Sequence, residues 1–283
     1  VLVDGLALGA MAESAASEAT RLRLVGLVHH PLAEETGLEK AMSETLRESE
    51  RQALAAVAGV VVTSAYTARL LTSAYGVRAE RIAVVEPGTD PAPLARGSGS
   101  GTLELLCVAS LTPRKGHDIL VEALARLRDR AWHLTCVGSV RRSPETAAAI
   151  ASSIDRFGLR DRVSVIGEID DASLADHYAR ADVFVLPTRF EGYGMALAEA
   201  VARGLPVVTT LGGAVLETVP RDAGLFVPPD DAGALAEALA PIIDRPERRS
   251  ALAAGARAAR TGLPTWEQSA AHMAAALRAM GAR

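Results

Sequence analysis

A doubly wound parallel α/β architecture in two domains is predicted by three features of the sequence. Short continuous apolar runs alternate with helix-length segments along the chain, the pattern of strands covered on both faces. A stretch rich in Pro, Gly and Ser, Pro91-Ala92-Pro93 followed by Gly97-Ser98-Gly99-Ser100-Gly101, interrupts that alternation near the first third. The length of 283 residues fits about two domains at roughly 150 residues each.

In order, Val1-Leu2-Val3 reads as a strand entered midway, without an initiator Met or the basic segment that opens a secretory signal. Residues 24–28 form a buried strand ending at His29-His30-Pro31. A polar helix spans 39–57, with Glu44, Arg47, Glu48 and Arg51 on its exposed face. A strand follows at 60–63, and Ser64 is placed as the N-cap of a helix reaching Tyr75. Residues 82–85 make another strand, stopped by Pro87-Gly88. Beyond the linker, strands are expected at 103–109, 133–137, 163–166, 183–186, 206–209 and 225–227. Helices are expected at 118–128, 144–157, 173–178, 195–203, 232–243, 246–260 and 266–280. The domains are accordingly 1–96, 102–262, and a closing helix at 263–283 that packs back toward the first.

Composition removes several function classes. Lys and Arg number 30 against 34 Asp and Glu, a formal charge of −4, and aromatics make up 4%. Neither the basic excess nor the stacking groups of a nucleic-acid binder are present. The longest apolar run, 53–62, is about half the ~20 residues of a membrane span. Within residues 1–101, nine Lys and Arg face twelve Asp and Glu, and the helix at 39–51 carries Glu39, Glu44, Glu48 and Glu50. No polybasic face for an anionic leaflet is expected there, so the chain reads as cytoplasmic. Cys107 and Cys136 lie in apolar strands and read as buried free thiols of a reducing compartment.

Ligands of open parallel sheets bind beyond the carboxyl ends of the strands, so three loops there matter most. The first, 187–195, runs Pro-Thr-Arg-Phe-Glu-Gly-Tyr-Gly-Met into a helix bearing Glu199. Its glycines permit close approach of backbone N–H groups, and the helix start favours an anion. On spacing alone, Glu191 and Glu199 fit either a hydroxyl-binding role or local capping and solvation. The second loop holds Arg114 and Lys115, without the spacing of a P-loop. The third offers Gly212-Gly213. Together they point to a phosphate-bearing ligand.

Glu191-x7-Glu199 with Phe190 and Gly192-Tyr193-Gly194, and then 199–208 (Glu-Ala-Val-Ala-Arg-Gly-Leu-Pro-Val-Val), resembles the signature of GT-B retaining glycosyltransferases of family 4. Pro113-Arg114-Lys115-Gly116, Val137-Gly138, Gly212-Gly213 and Ala223-Gly224-Leu225-Phe226-Val227 fall in that family's order. The resemblance is dense over 102–260 and looser over 1–90, where His29-His30 and Pro87-Gly88-Thr89-Asp90 are similar to acceptor-domain landmarks. It implies a GT-B fold, two Rossmann-like domains with the N-terminal one incomplete, and transfer of a sugar from a UDP-, GDP- or ADP-sugar. The acceptor would be a small molecule, a glycan or a lipid-linked group. The resemblance assigns Lys115, helped by Arg114, to the departing diphosphate, Glu199 to both ribose hydroxyls, and Glu191 to a donor-sugar hydroxyl. Gly192, Tyr193, Gly194 and Met195 would bring backbone N–H groups to sugar and phosphate. Gly138 and Ile166 would lie near the base, Ser110 near the diphosphate, and His29, rather than His30, would reach the sugar.

The sequence departs from that family in two places. Ser110 stands where the family often has Arg, and the first strand and Gly-rich loop expected before Val1 have no counterpart. A sugar-nucleotide-binding module without transfer and a GT-B epimerase therefore stay open as alternatives. Asp-x-Asp is absent, Glu168-Ile169-Asp170 being nearest, so no metal or other cofactor is expected and cations with helix dipoles are left to stabilise the leaving group.

Overall fold

Runs of valine and leucine covered on both faces set the strands of two separate parallel sheets. The computed structural model describes residues 1–281. It divides into two units. Unit one is Val1–Gly88 with Phe190–Tyr193 and the segment from Pro264; unit two is Thr89–Arg189 with Gly194–Leu263.

Unit one contains β1 (Leu2–Asp4), α1 (Gly5–Ala10), α2 (Ala12–Glu18), β2 (Val25–Val28), α3 (Lys40–Ala56), β3 (Gly59–Val62), α4 (Ala65–Tyr75) and β4 (Ile82–Val84). The strands are all parallel in the order β1-β2-β3-β4. Val60, Val61 and Val62 are wholly buried. Ser64 caps α4 as expected, its Oγ accepting the Thr67 amide at 3.1 Å.

Sequence periodicity does not reveal α1 or α2, because small residues rather than an apolar stripe seat α1. A Cβ on Gly5 would stand 2.9 Å from the Leu27 carbonyl oxygen, and one on Gly9 2.8 Å from Glu50 Cγ. Glu50 corrects the sequence reading of α3. It is buried rather than on the acidic outer face, because its carboxylate accepts the Leu32 and Ala33 amides at 2.5 and 3.1 Å. Burial raises its pKa despite those two bonds. The closing helix, Trp266–Ala279, and its C-cap Met280 bring Met273, Ala276, Leu277 and Met280 against Val25 and Val61 of the sheet and Val85 just beyond β4. A capping box of Thr265 and Gln268 starts it.

Unit two contains β5 (Leu103–Val108), α5 (His117–Ala125), β6 (Trp132–Val137), α6 (Pro144–Arg156), β7 (Val163–Gly167), α7 (Asp171–Arg180), β8 (Val183–Leu186), α8 (Met195–Ala202), β9 (Val207–Thr210), α9 (Val215–Thr218), β10 (Gly224–Val227), α10 (Ala232–Asp244) and α11 (Pro246–Ala259). Its six strands are parallel in the order β10-β9-β8-β5-β6-β7. Connections leave β5 toward β6 on one side and leave β8 toward β9 on the other. The strand order therefore reverses between β5 and β8, and a crevice opens at their carboxyl ends. Cys107 and Cys136 face each other in register on β5 and β6, both free and buried.

The division between units falls at Gly88/Thr89, not in the Gly/Ser stretch where the sequence reading puts it. Residues 95–98 are already bonded into unit two. The amides of Ala95 and Arg96 donate to the Arg203 and Ala179 carbonyls at 2.9 and 2.8 Å, and that of Ser98 donates to Asp182 at 3.1 Å. Among the described residues, no helix is long and apolar enough to cross a membrane.

Candidate functional site

The switch point of unit two carries the cations. After β5 the chain makes a 3-10 turn, Pro113–Lys115, on which Arg114 and Lys115 are neighbours. Gly116 then adopts φ 68°, and a Cβ there would overlap the Pro187 carbonyl oxygen at the end of β8. Only glycine lets the two loops touch. The contact is bonded as well: Thr188 Oγ1 and the Arg189 amide both donate to the Arg114 carbonyl, at 3.1 and 2.7 Å. The third loop joins the same cluster, since Thr210 Oγ1 donates to the Thr188 carbonyl and a Cβ on Gly212 would stand 2.6 Å from the Arg189 carbonyl oxygen.

Beyond β8, Gly194 at φ 98° turns the chain into α8, with Met195 as first helical residue. The amino terminus of α8 and the Arg114–Lys115 turn thus stand at the carboxyl ends of adjacent strands, a doubly positive setting for an anion. Glu199 is half-buried one turn inside α8. Its Oε2 accepts the Tyr178 hydroxyl at 2.9 Å, while Arg203 donates to its carbonyl at 3.0 Å and stacks 4.2 Å from the Tyr178 ring centre. Burial, then the Glu199 charge, hold the Tyr178 phenol far above its ordinary pKa, so it remains a donor. Tyr178 is a residue that sequence reading misses. It lies 21 positions from its partner, in an apolar helix face that spells only core.

Gly138 follows β6 at φ 147°, where a Cβ would overlap the Ala109 carbonyl oxygen. Its amide reaches the Gly167 carbonyl at 2.9 Å, past a register shift between β6 and β7 at Cys136/Val137. Ser110, at the end of β5, is packed against Gly138, and Ile166 is exposed on edge strand β7. Ser110, Arg114, Lys115, Gly138, Ile166, Gly194, Met195 and Glu199 all belong to unit two.

The remaining candidates belong to unit one. Glu191 and Tyr193 are buried, and Gly192 lies against His29, whose carbonyl oxygen a Cβ would overlap. Phe190 packs 5.9 Å from the His30 ring and edge-on to Tyr66 at 5.8 Å. The two histidines are therefore distinct. His29 is half-exposed with Nε2 3.6 Å from Asp4 Oδ2, whereas His30 is the more enclosed, with Nε2 3.3 Å from Glu35.

Residues 102–245 match the family described as glycosyl transferases group 1, and residues 3–93 match glycosyltransferase family 4. The chain is 33% identical over 241 residues to a D-inositol 3-phosphate glycosyltransferase of Xylanimonas cellulosilytica, covering 79% of this chain and 57% of that protein. It is 33% identical over 242 residues to a GDP-mannose-dependent alpha-(1-6)-phosphatidylinositol monomannoside mannosyltransferase of Mycobacterium tuberculosis, covering 77% and 61%. The chain thus spans less than two thirds of the length of these relatives. Among solved structures, sucrose-phosphate synthase from Thermosynechococcus elongatus superimposes with a TM-score of 0.84 at 26% identity, over 99% of this chain and 73% of that one.

Proposed function

The chain belongs to the group 1, family 4 glycosyltransferases of GT-B fold, and from that premise we propose that it moves a sugar from a nucleotide-diphosphate sugar to an acceptor hydroxyl, with retention of anomeric configuration. The observation that carries this reading is the pairing of the Arg114–Lys115 turn with the amino terminus of α8 at the β5/β8 switch point. A diphosphate gains negative charge on its β-phosphate as the bond to the anomeric carbon breaks. Fixed cations and a helix dipole stabilise that charge more than the ground state, which is what lowers a barrier.

The other roles are those that the family resemblance implies. Glu199 accepts ribose hydroxyls. Its Oε2 already holds Tyr178, so Oε1 and the remaining lone pairs do that work. Glu191 accepts a hydroxyl of the donor sugar, the 192–194 amides meet sugar and phosphate, and His29 approaches the sugar. Ser110 lies by the diphosphate, and Gly138 and Ile166 by the base. The donors to test are UDP-, GDP- and ADP-sugars, GDP-mannose first because one relative is named for it. Two relatives are named for inositol compounds, which makes an inositol phosphate or inositol lipid the first acceptor to try. The free buried thiols support a reducing, cytoplasmic setting.

A thermal-shift panel tests the reading. A donor at 100 times its dissociation constant stabilises by about 2.7 kcal/mol, a rise of roughly 5–10 °C for units of this size. Silence from every nucleotide sugar overturns it, and binding without turnover leaves the non-transferring module. Transfer is further expected to survive excess EDTA within about twofold, because the cationic turn rather than a Lewis acid carries the leaving group. Activity abolished by EDTA and restored by Mg²⁺ or Mn²⁺ contradicts this. Tyr178→Phe removes one hydrogen bond to Glu199. It is expected to weaken nucleoside-diphosphate affinity by about 2–12-fold, the ~0.5–1.5 kcal/mol of such a bond, measured by titration calorimetry. An unchanged affinity would separate Glu199 from the ribose.

A further inference from the structure

Arg189 makes a set of contacts that none of the roles above uses. Its side chain is mostly buried. Nη1 and Nη2 meet the two carboxylate oxygens of Asp118, in the first turn of α5, at 3.2 and 2.8 Å. Nε donates to Asp230 Oδ1 at 2.6 Å, and Nη1 also donates to the Pro113 carbonyl. The Arg189 amide holds the Arg114 carbonyl at 2.7 Å. One residue after β8 therefore ties down the loop after β5 and the loop after β10. Asp230 is held at φ 59°, the only positive φ outside glycine among the described residues.

The charge balance says what this arginine does. Two carboxylates surround one guanidinium, so no net positive charge remains for a phosphate. Burial alone would raise the pKa of Asp118, but the Arg189 hydrogen bond and charge outweigh it and lower that pKa, keeping the pair ionised. The 3-10 turn itself is three residues long, with backbone bonds from Lys115 N to Thr112 O at 3.1 Å and from Gly116 N to Pro113 O at 3.3 Å. So short an element cannot hold its own position.

We propose that Arg189, with Asp118 and Asp230, is a positioning clamp that sets where Arg114 and Lys115 stand against the donor diphosphate. This rests on the nucleotide-sugar reading given above. Arginine is required because a bidentate fork plus a third donor spans both acids and the Pro113 carbonyl, which a lysine ammonium cannot do.

Two measurements on the full chain test it. In ligand-free protein, amide hydrogen exchange across residues 112–118 is expected to speed up about tenfold in Arg189→Ala, with Arg189→Lys no better than halfway back to wild type. In binding titrations, Arg189→Ala is expected to lower affinity for UDP or GDP about tenfold or more, while affinity for UMP or GMP stays within twofold, because base and ribose contacts do not move. Asp118→Asn, at an exposed position that leaves the core intact, is expected to show the same split at about threefold. Unchanged exchange in Arg189→Ala, equal loss for mono- and diphosphates, or full restoration by Arg189→Lys overturns the clamp. If the wild-type protein binds no nucleotide, the donor reading falls, and the exchange result alone decides the clamp.

Discussion

Replacing Lys115 with alanine is expected to slow sugar transfer about 10²–10³-fold while leaving the melting temperature near that of the wild type. The magnitude is the ~2.7–4 kcal/mol typical of removing one preorganised group from a developing anion. The half-buried Lys115 sits on a turn rather than in the core, so the variant gives up charge without opening a cavity. Free UDP or GDP is expected to bind more weakly as well, since part of the contact exists before the bond breaks. Lys40 provides the control. It is the only other lysine, exposed on α3 and 3.9 Å from Glu44, and Lys40→Ala is expected to change neither rate nor affinity. Equal losses from the two substitutions would remove Lys115 from the site. Arg114 cannot fully substitute, because its carbonyl is fastened to Thr188 and Arg189 and its direction is set with the turn.

Trp132→Ala is expected to have the opposite profile, a loss of about 3–5 kcal/mol in stability with the chemistry of the site intact. Trp132 opens β6, at the end of the strand away from the candidate loops, and is 1% exposed. Its indole N–H donates to the Leu127 carbonyl at 2.8 Å, and the Arg162 guanidinium lies 3.9 Å from the ring centre. Truncation leaves a cavity, removes one of the two hydrogen bonds that the Leu127 carbonyl accepts (the Arg130 amide keeps the other, at 3.1 Å) and strips the cover from Arg162. Against a total of roughly 5–15 kcal/mol, such a loss consumes a large share of the fold's margin. Urea unfolding followed by circular dichroism measures it. Trp132→Phe should retain more, since a six-membered aromatic ring remains and only the volume and N–H of the five-membered ring are lost. A loss below about 1 kcal/mol for the alanine variant would mean the site collapses to fill the space.

The strands were legible because most are short runs dominated by valine, isoleucine and leucine, and burial on both faces demands that composition. Ser64 was legible because a hydroxyl before a helix has one common use. The loops bearing Arg114, Lys115 and Gly194 were legible as strand-to-helix junctions. The helices at 5–18 were not, because Gly5 and Gly9 are there for close approach to β2 and α3, information carried by the partners rather than the segment. Glu50 misled for the same reason: the Leu32 and Ala33 amides that bury it lie 18 and 17 positions upstream. Arg189 and Tyr178 act through partners 21 to 76 positions away, so nothing local distinguishes them from ordinary surface and core residues.

The seating of helix Trp266–Ala279 on Val25, Val61 and Val85 has a consequence for how the chain is made. The strands of that first sheet have all been synthesised once Val84 is added, yet the helix that covers one of its faces arrives about 180 residues later. At ~5–20 residues per second, a ribosome takes roughly 10–40 s to supply it. Throughout that interval a valine-lined face stays open to water and to any neighbouring nascent chain. Of the two units, the one whose strands are synthesised earlier is therefore the later to be closed, and a chain ending before residue 266 has the strands of both sheets but a bare hydrophobic surface on the first.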